Sequence, residues 1–190
     1  MRKIIVSENI SLDGFVAGPN GEMDWIHVDE DLFNYIVKLT NQADAAIYGR
    51  VTYEMMDAYW PTAATNPNAS KHDIDHSEWY NRVNKIVLSS TIKEPKDKTQ
   101  IISENIFQEI LTLKAQSGKN ILMFGSPTAA NSLMELDLID EYWLFINPIL
   151  LGDGIPFFKN ISKQKRLRLI ESHIFSTGVI EMHFEAINNL

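Results

Sequence analysis

Three stretches of this chain end an apolar run in small, hydroxylated or cationic residues, the material from which anion sites are built. The first is Ile121-Leu122-Met123-Phe124-Gly125-Ser126-Pro127-Thr128. Its four apolar residues have the length of a strand buried on both faces. Gly125 lets the chain turn tightly or lets another group approach. Ser126 is a good N-cap, and Pro127 suits the first helical position, where no donor is needed. Ala129, Ala130, Leu133 and Met134 then mark one face of a helix. The free N–H groups and positive dipole end of such a helix favour phosphate.

The second stretch, Gly49-Arg50-Val51-Thr52-Tyr53-Glu54, follows another apolar run. Arg50 offers a forked cation, and Thr52 a hydroxyl that can cap a helix or bind phosphate. The same residues also make an ordinary connection with a surface arginine and a capping threonine. The third, Leu88-Ser89-Ser90-Thr91, sets hydroxyls at a strand's C-terminal end. They can bond a ribose or phosphate, or simply form a turn. Ligands of open α/β sheets bind outside the carboxyl ends of the strands, so the three strand ends gain weight together. The chain has no G-x-G-x-x-G fingerprint and no Walker lysine motif, which leaves a Rossmann or P-loop site unsupported.

Two further clusters carry competing readings. His72-Asp73-Ile74-Asp75-His76 has histidines four apart with two carboxylates. That spacing suits a metal, but the polar surroundings favour a solvated segment, and no metal is expected. Trp25, Tyr53, Trp60, Trp79 and Tyr80 can line a pocket for a flat heterocycle or fill a core, with Trp60 at a pocket rim.

The elements that must position these residues follow from periodicity. Strands are predicted at residues 3–7, 45–48, 85–89, 101–102, 121–124 and 140–146. Residues 11–21 read as one long irregular loop. Asp29 caps a helix whose face is Leu32, Phe33, Ile36 and Val37; a second helix presents Met55, Met56 and Tyr59; a third presents Ile106, Ile110, Leu111 and Leu113. Residues 61–76 read as an irregular insertion. Residues 167–175 and 179–186 flank Ser176-Thr177-Gly178 as a β-hairpin. The predicted class is a three-layer α/β fold: a mixed, mainly parallel sheet, helices on both faces and a C-terminal antiparallel hairpin. One domain over residues 1–190 is the simplest organisation.

Composition narrows the function. A net charge of −8 argues against nucleic acid as the main partner. Cysteine is absent, which excludes disulfides, thiolate catalysis and Cys-ligated zinc and agrees with a cytoplasmic location. The N-terminus reaches Ser7 and Glu8 too soon for a signal peptide, and no apolar run approaches membrane-spanning length.

The ordered set of motifs resembles the dihydrofolate-reductase-like superfamily, specifically the C-terminal reductase domain of the bifunctional riboflavin-biosynthesis enzyme. It comprises Ser11-Leu12-Asp13-Gly14-Phe15 with Ala17-Gly18, Gly49 to Glu54, Leu88 to Thr91 and Phe124-Gly125-Ser126-Pro127. It continues through Leu138-Ile139-Asp140-Glu141 and the run from Pro148 to Phe158, nearly the whole chain. The resemblance implies NADPH as cofactor and a small heterocycle of pteridine or aminopyrimidine type as substrate. Arg50 and Thr52 would then grip cofactor phosphates, with Gly49 admitting them closely. Ser89 and Ser90 would sit near the adenosine ribose and its 2′-phosphate, and Gly125, Ser126, Pro127 and Thr128 would wrap the pyrophosphate. Residues 12–21, including Ala17, would match the loop that closes over the nicotinamide. Many members carry Gly-Gly where this chain has Gly125-Ser126, and Ser is less permissive at positive φ.

Dihydrofolate reductases place a carboxylate on the helix after that loop. Glu30, between Asp29 and Asp31, is one match, although acidic residues there also favour a helix N-terminus, which is the preferred reading. Asp13 is the other catalytic candidate, against a plain turn aspartate. Alternative functions are dihydrofolate reductase activity and a non-catalytic NADP(H)-binding or sensing protein. Riboflavin-pathway relatives also imply a possible homodimer.

Overall fold

The computed structural model describes residues 1–187. In chain order its elements are β1 (Ile4–Ser11), β2 (Phe15–Ala17), α1 (Glu30–Asn41), β3 (Ala43–Gly49), α2 (Arg50–Ala63), α3 (Lys71–Arg82), β4 (Asn84–Leu88) and β5 (Thr99–Ile102). They continue with α4 (Ile106–Ala115), β6 (Asn120–Phe124), α5 (Pro127–Glu135), β7 (Glu141–Asn147), β8 (Ile155–Pro156), β9 (Arg166–Ile174) and β10 (Ile180–Ile187). The main sheet has eight strands in the order β5-β4-β3-β6-β1-β7-β10-β9, and β2 pairs with β8 separately. β3 with β4, β4 with β5 and β1 with β7 are parallel, whereas β10 is antiparallel to both β7 and β9. The fold is thus the expected mixed, mainly parallel α/β sheet with a terminal antiparallel hairpin. The chain separates into two compact units, one of Met1–Arg2 with Asp29–Leu122, the other of Lys3–Val28 with the residues from Met123 on.

In the first unit, the Asp29 side chain accepts the Leu32 N–H and so caps α1, as the sequence predicts. The expected apolar face is displaced: Leu32, Tyr35 and Leu39 are buried, while Ile36 and Val37 are half-buried. Residues 61–76 are not an irregular insertion. Pro61 lies near the end of α2, where the lost donor interrupts little, and α3 starts at a capping box. Ser70 Oγ accepts the Asp73 N–H and Asp73 accepts the Ser70 N–H, a signature that an unfavourable polar composition obscured.

The histidine pair therefore belongs to a helix and is not solvated. His72 stacks on Phe33 at 3.5 Å between ring centroids, and His76 is buried against Trp60 at 4.0 Å. Burial lowers both pKa values, His76 to about 3. On α2 the face also differs from expectation, since Met55 and Tyr59 are exposed and Tyr53 is buried. Trp79 and Tyr80 are core residues.

In the second unit, β1 is longer than predicted and buried along almost its whole length. Its ladder to β7 opens with Asp140, whose N–H bonds the Ile4 carbonyl at 3.0 Å and whose Oδ2 accepts the Ile4 N–H at 2.7 Å. The predicted loop at residues 11–21 contains β2, which pairs with β8 and which three residues were too short to announce. β9 is exposed at all nine positions.

Candidate functional site

The C-terminal ends of β1 and β7 carry a closely braced pair of loops in the second unit. Asp13 is its hub. Its carboxylate accepts the Ser11 hydroxyl at 2.6 Å, the Gly152 N–H at 2.8 Å and the Leu151 N–H at 3.1 Å. The Ser11 hydroxyl in turn accepts the Phe15 N–H at 2.9 Å. Leu12 N–H bonds the Ile149 carbonyl and Phe157 N–H the Gly14 carbonyl, both at 2.9 Å. Asp13 is exposed, and the Ser11 hydroxyl and then the Gly152 N–H hold its pKa below the usual carboxylate value. Gly154 lies at φ +155°, where an added Cβ would meet the Ala17 carbonyl oxygen at 2.2 Å. Only glycine lets β2 and its partner segment approach so closely.

Asparagines that sequence reasoning did not single out complete the bracing. Asn147, fully buried, accepts the His27 N–H at 3.2 Å and donates to Asn9 Oδ1 at 3.3 Å. It thereby fastens the segment after the β2 loop to the end of the sheet. Asn131 on α5 donates to the Phe157 carbonyl at 2.7 Å and accepts the Lys159 N–H at 3.0 Å. Only their position at a strand end and on a helix following Pro127 could have marked them, and neither has a motif.

The turn into α5 keeps Pro127 at the first helical position, as predicted. Ser126, however, adopts φ +64°, and its side chain makes no cap bond. Gly125 is also left-handed, at φ +60°. Two successive left-handed residues swing the chain into the helix and leave the first-turn N–H groups of Thr128 and Ala129 without a serine cap, as anion binding requires. Missing caps are not diagnostic alone, since Asn105 before α4 is likewise left-handed and makes none. Ala17 is buried in β2, and Thr128 is exposed.

In the first unit, Gly49 is the N-cap of α2, so Thr52 lies at the third helical position and does not cap it. Arg50 is exposed and pairs with Glu54 at 2.7 Å. Ser89 Oγ accepts the Thr91 and Ile92 N–H groups at 3.2 and 3.3 Å, forming a local turn, and Ser90 is exposed beside it. Glu30 is exposed in the first turn of α1. A cavity of 220 Å³ between α1 and α3, bordered by Thr40, His72, His76, Trp79 and Arg82, includes none of the residues predicted to bind the cofactor and neither catalytic candidate.

One buried carboxyl falls outside all these expectations. Glu8 on β1 accepts the Asn9 N–H through Oε1 at 3.1 Å, while Oε2 is buried with no hydrogen-bond partner. Burial, partly offset by the Asn9 N–H, raises its pKa to about 8.

Comparison with known proteins agrees with this architecture. The chain is 32% identical over 183 residues to the uncharacterized protein YyaP of Bacillus subtilis (strain 168), covering 95% of this chain and 93% of that one. Among solved structures it resembles a Shewanella sp. PV-4 protein named for riboflavin biosynthesis, with TM-score 0.77, 25% identity and 98% and 99% of the two chains covered. It also resembles the Thermotoga maritima diaminohydroxyphosphoribosylaminopyrimidine deaminase/5-amino-6-(5-phosphoribosylamino)uracil reductase, at TM-score 0.67 and 14% identity, over 98% of this chain and 57% of that one. Enterococcus faecalis dihydrofolate reductase, solved with NADP(H), matches at TM-score 0.65 and 14% identity, with 98% and 97% covered. These two likenesses establish the dihydrofolate-reductase-like fold. With the RibD C-terminal domain model matching residues 2–180 across the braced loops and all three strand ends, the chain belongs to the RibD C-terminal domain family.

Proposed function

We propose that the protein is an NADPH-dependent reductase that transfers hydride to a carbon of a small pteridine- or aminopyrimidine-type heterocycle. Family membership supports a riboflavin-pathway-like reductase. The observation that carries the site is the Asp13-centred brace at the C-terminal ends of β1 and β7, where α/β sheets take their ligands. When bound, NADPH supplies the hydride. The α5 N-terminus fits an anionic pyrophosphate, because Gly125, Ser126 and Pro127 leave the backbone donors of Thr128 and Ala129 uncapped.

Arg50, released from Glu54, would take a cofactor phosphate, with Thr52, Ser89 and Ser90 offering hydroxyls beside Gly49. Asp13 holds no proton to donate at neutral pH, so its role is to fix the loop containing Ala17 against Leu151 and Gly152. Glu30 remains a candidate for orienting the heterocycle. Among the described residues no helix is long and apolar enough to cross a membrane, and we place the activity in the cytoplasm.

We also infer a homodimer through β9. Antiparallel pairing of β9 with its copy about Leu169 and Ile170 sets Arg168 opposite Glu171 and satisfies an exposed edge. Light scattering on the purified protein distinguishes a dimer from a monomer.

The reductase reading is tested by NADPH oxidation against dihydrofolate, diaminouracils and small carbonyl compounds. Turnover of a heterocycle is expected. NADPH binding without turnover of any of them would favour a sensing protein, and turnover of dihydrofolate alone would favour dihydrofolate reductase activity.

A further inference from the structure

Reduction of a C=N or C=O bond by hydride needs a proton for the heteroatom, and Asp13, the candidate in the loop after β1, holds none. Asp13 accepts four hydrogen bonds from its three partners and is ionised. Glu8 is different in kind. It lies three residues before Ser11 on β1, buried at 9% exposure, with one carboxyl oxygen unbonded. A polar atom left unsatisfied in an interior is costly, and such atoms are retained where they work.

Its backbone setting points to the same end of the sheet. Alternate residues of a parallel strand turn their N–H groups to opposite neighbours. Ile4 and Leu12 bond toward β7 and the loop after it, so Asn9 turns its N–H toward β6. The Asn9 N–H donates to the Glu8 carboxyl at 3.1 Å. The Asn9 side chain meanwhile holds Asn147, which fastens His27.

On the β7 side, the groups sharing Glu8's face are Val6 and Ile10 on β1, Leu144 and Tyr142 on β7, and Met182 and Phe184 on β10. Tyr142 is the titratable one among them, and burial raises its pKa, so it too stays neutral.

We propose that Glu8 is the proton donor of the reductase site, a role that rests on the reading above. Hydride adds to the carbon of the C=N or C=O bond, and the π electron pair moves to the heteroatom. That atom takes the proton from Glu8 Oε2, and the carboxylate left behind regains one from water. The free oxygen is thus occupied only when an acceptor is present.

The test pairs Glu8→Gln with Glu8→Asp and begins without cofactor. Carbon-13 NMR of glutamate-labelled protein, with the Glu8 signal identified by its loss in E8Q, should give a neutral carboxyl at pH 7 that ionises near 8. An ionised Glu8 at pH 7 overturns the proposal. NADPH oxidation with dihydrofolate and 5,6-diaminouracil is then followed from pH 6 to 9.5. Wild-type turnover should fall as Glu8 ionises. E8Q should be slower by about 100-fold, without that falling limb, and should bind NADPH as tightly as wild type. E8D should recover part of the rate. E8Q with wild-type turnover and an unchanged pH profile defeats Glu8 alone, whereas a wild type that binds NADPH and reduces neither probe defeats the reductase reading with it.

Discussion

The side chains around the candidate sites are held in opposite ways in the two units. In the first, Arg50 is tied to Glu54 and Ser89 to Thr91 and Ile92, all near neighbours in sequence. In the second, the bonds span the chain, from Asp13 to Leu151 and Gly152, from Asn147 to Asn9 and His27, and from Asn131 to Phe157. Local bonds leave a side chain free to exchange its partner for a ligand at small cost. Long-range bonds shape a loop in advance, so that less entropy is lost when a ligand arrives. On the proposed reading, the first unit would supply adjustable cofactor contacts and the second preorganised geometry.

Gly154→Ala attacks the braced side hardest. A methyl 2.2 Å from the Ala17 carbonyl oxygen at φ +155° should cost about 3 kcal/mol through overpacking and strain, read as a lower unfolding temperature. Unchanged stability would mean that the brace is loose.

Glu8 and His76, both buried, should respond to pH with opposite signs. Glu8 titrates near 8 folded and near 4.5 unfolded, so the folded state binds more protons between those values. Stability conferred on β1 is therefore lost as pH rises through this window, by up to about 1.4 kcal/mol per pH unit, and Glu8→Gln should flatten the slope. His76 titrates near 3 folded and 6.5 unfolded, so the unfolded state binds more protons in between. Stability around α3 is lost as pH falls below 6.5, and His76→Gln should remove that loss. Amide hydrogen exchange, read separately on β1 and α3, checks both, and slopes of the same sign would undo the contrast.

Arg50→Ala should have the smallest effect on folding, within about 0.5 kcal/mol, because an exposed i,i+4 pair contributes little. It should nonetheless weaken NADPH about tenfold and NADH much less, measured by fluorescence titration. Equal losses would mean that Arg50 does not read the 2′-phosphate.

Legibility from sequence follows the same division. The strand ends at Gly49, Ser89 and Gly125, the Asp29 cap and the terminal hairpin were all readable, because each depends on residues a few positions apart. The role of Asp13 was not, since its partners lie 138 and 139 residues away and are backbone N–H groups that any sequence would supply. β2 escaped because a three-residue strand exists only by pairing with β8. The helix α3 escaped because its polar, histidine-bearing surface resembles a solvated segment until Phe33 and Trp60 close over it. Ser126 was read as a cap from its type, whereas its left-handed backbone turns the hydroxyl away from that task.

The central claim, a site that recognises NADPH, is tested most directly by thermal unfolding of the purified chain with NADPH, with NADH and without ligand. Binding to the native state alone raises the midpoint by mass action. A rise with NADPH clearly exceeding that with NADH at equal concentration is the predicted result. No shift with either nucleotide would contradict the claim.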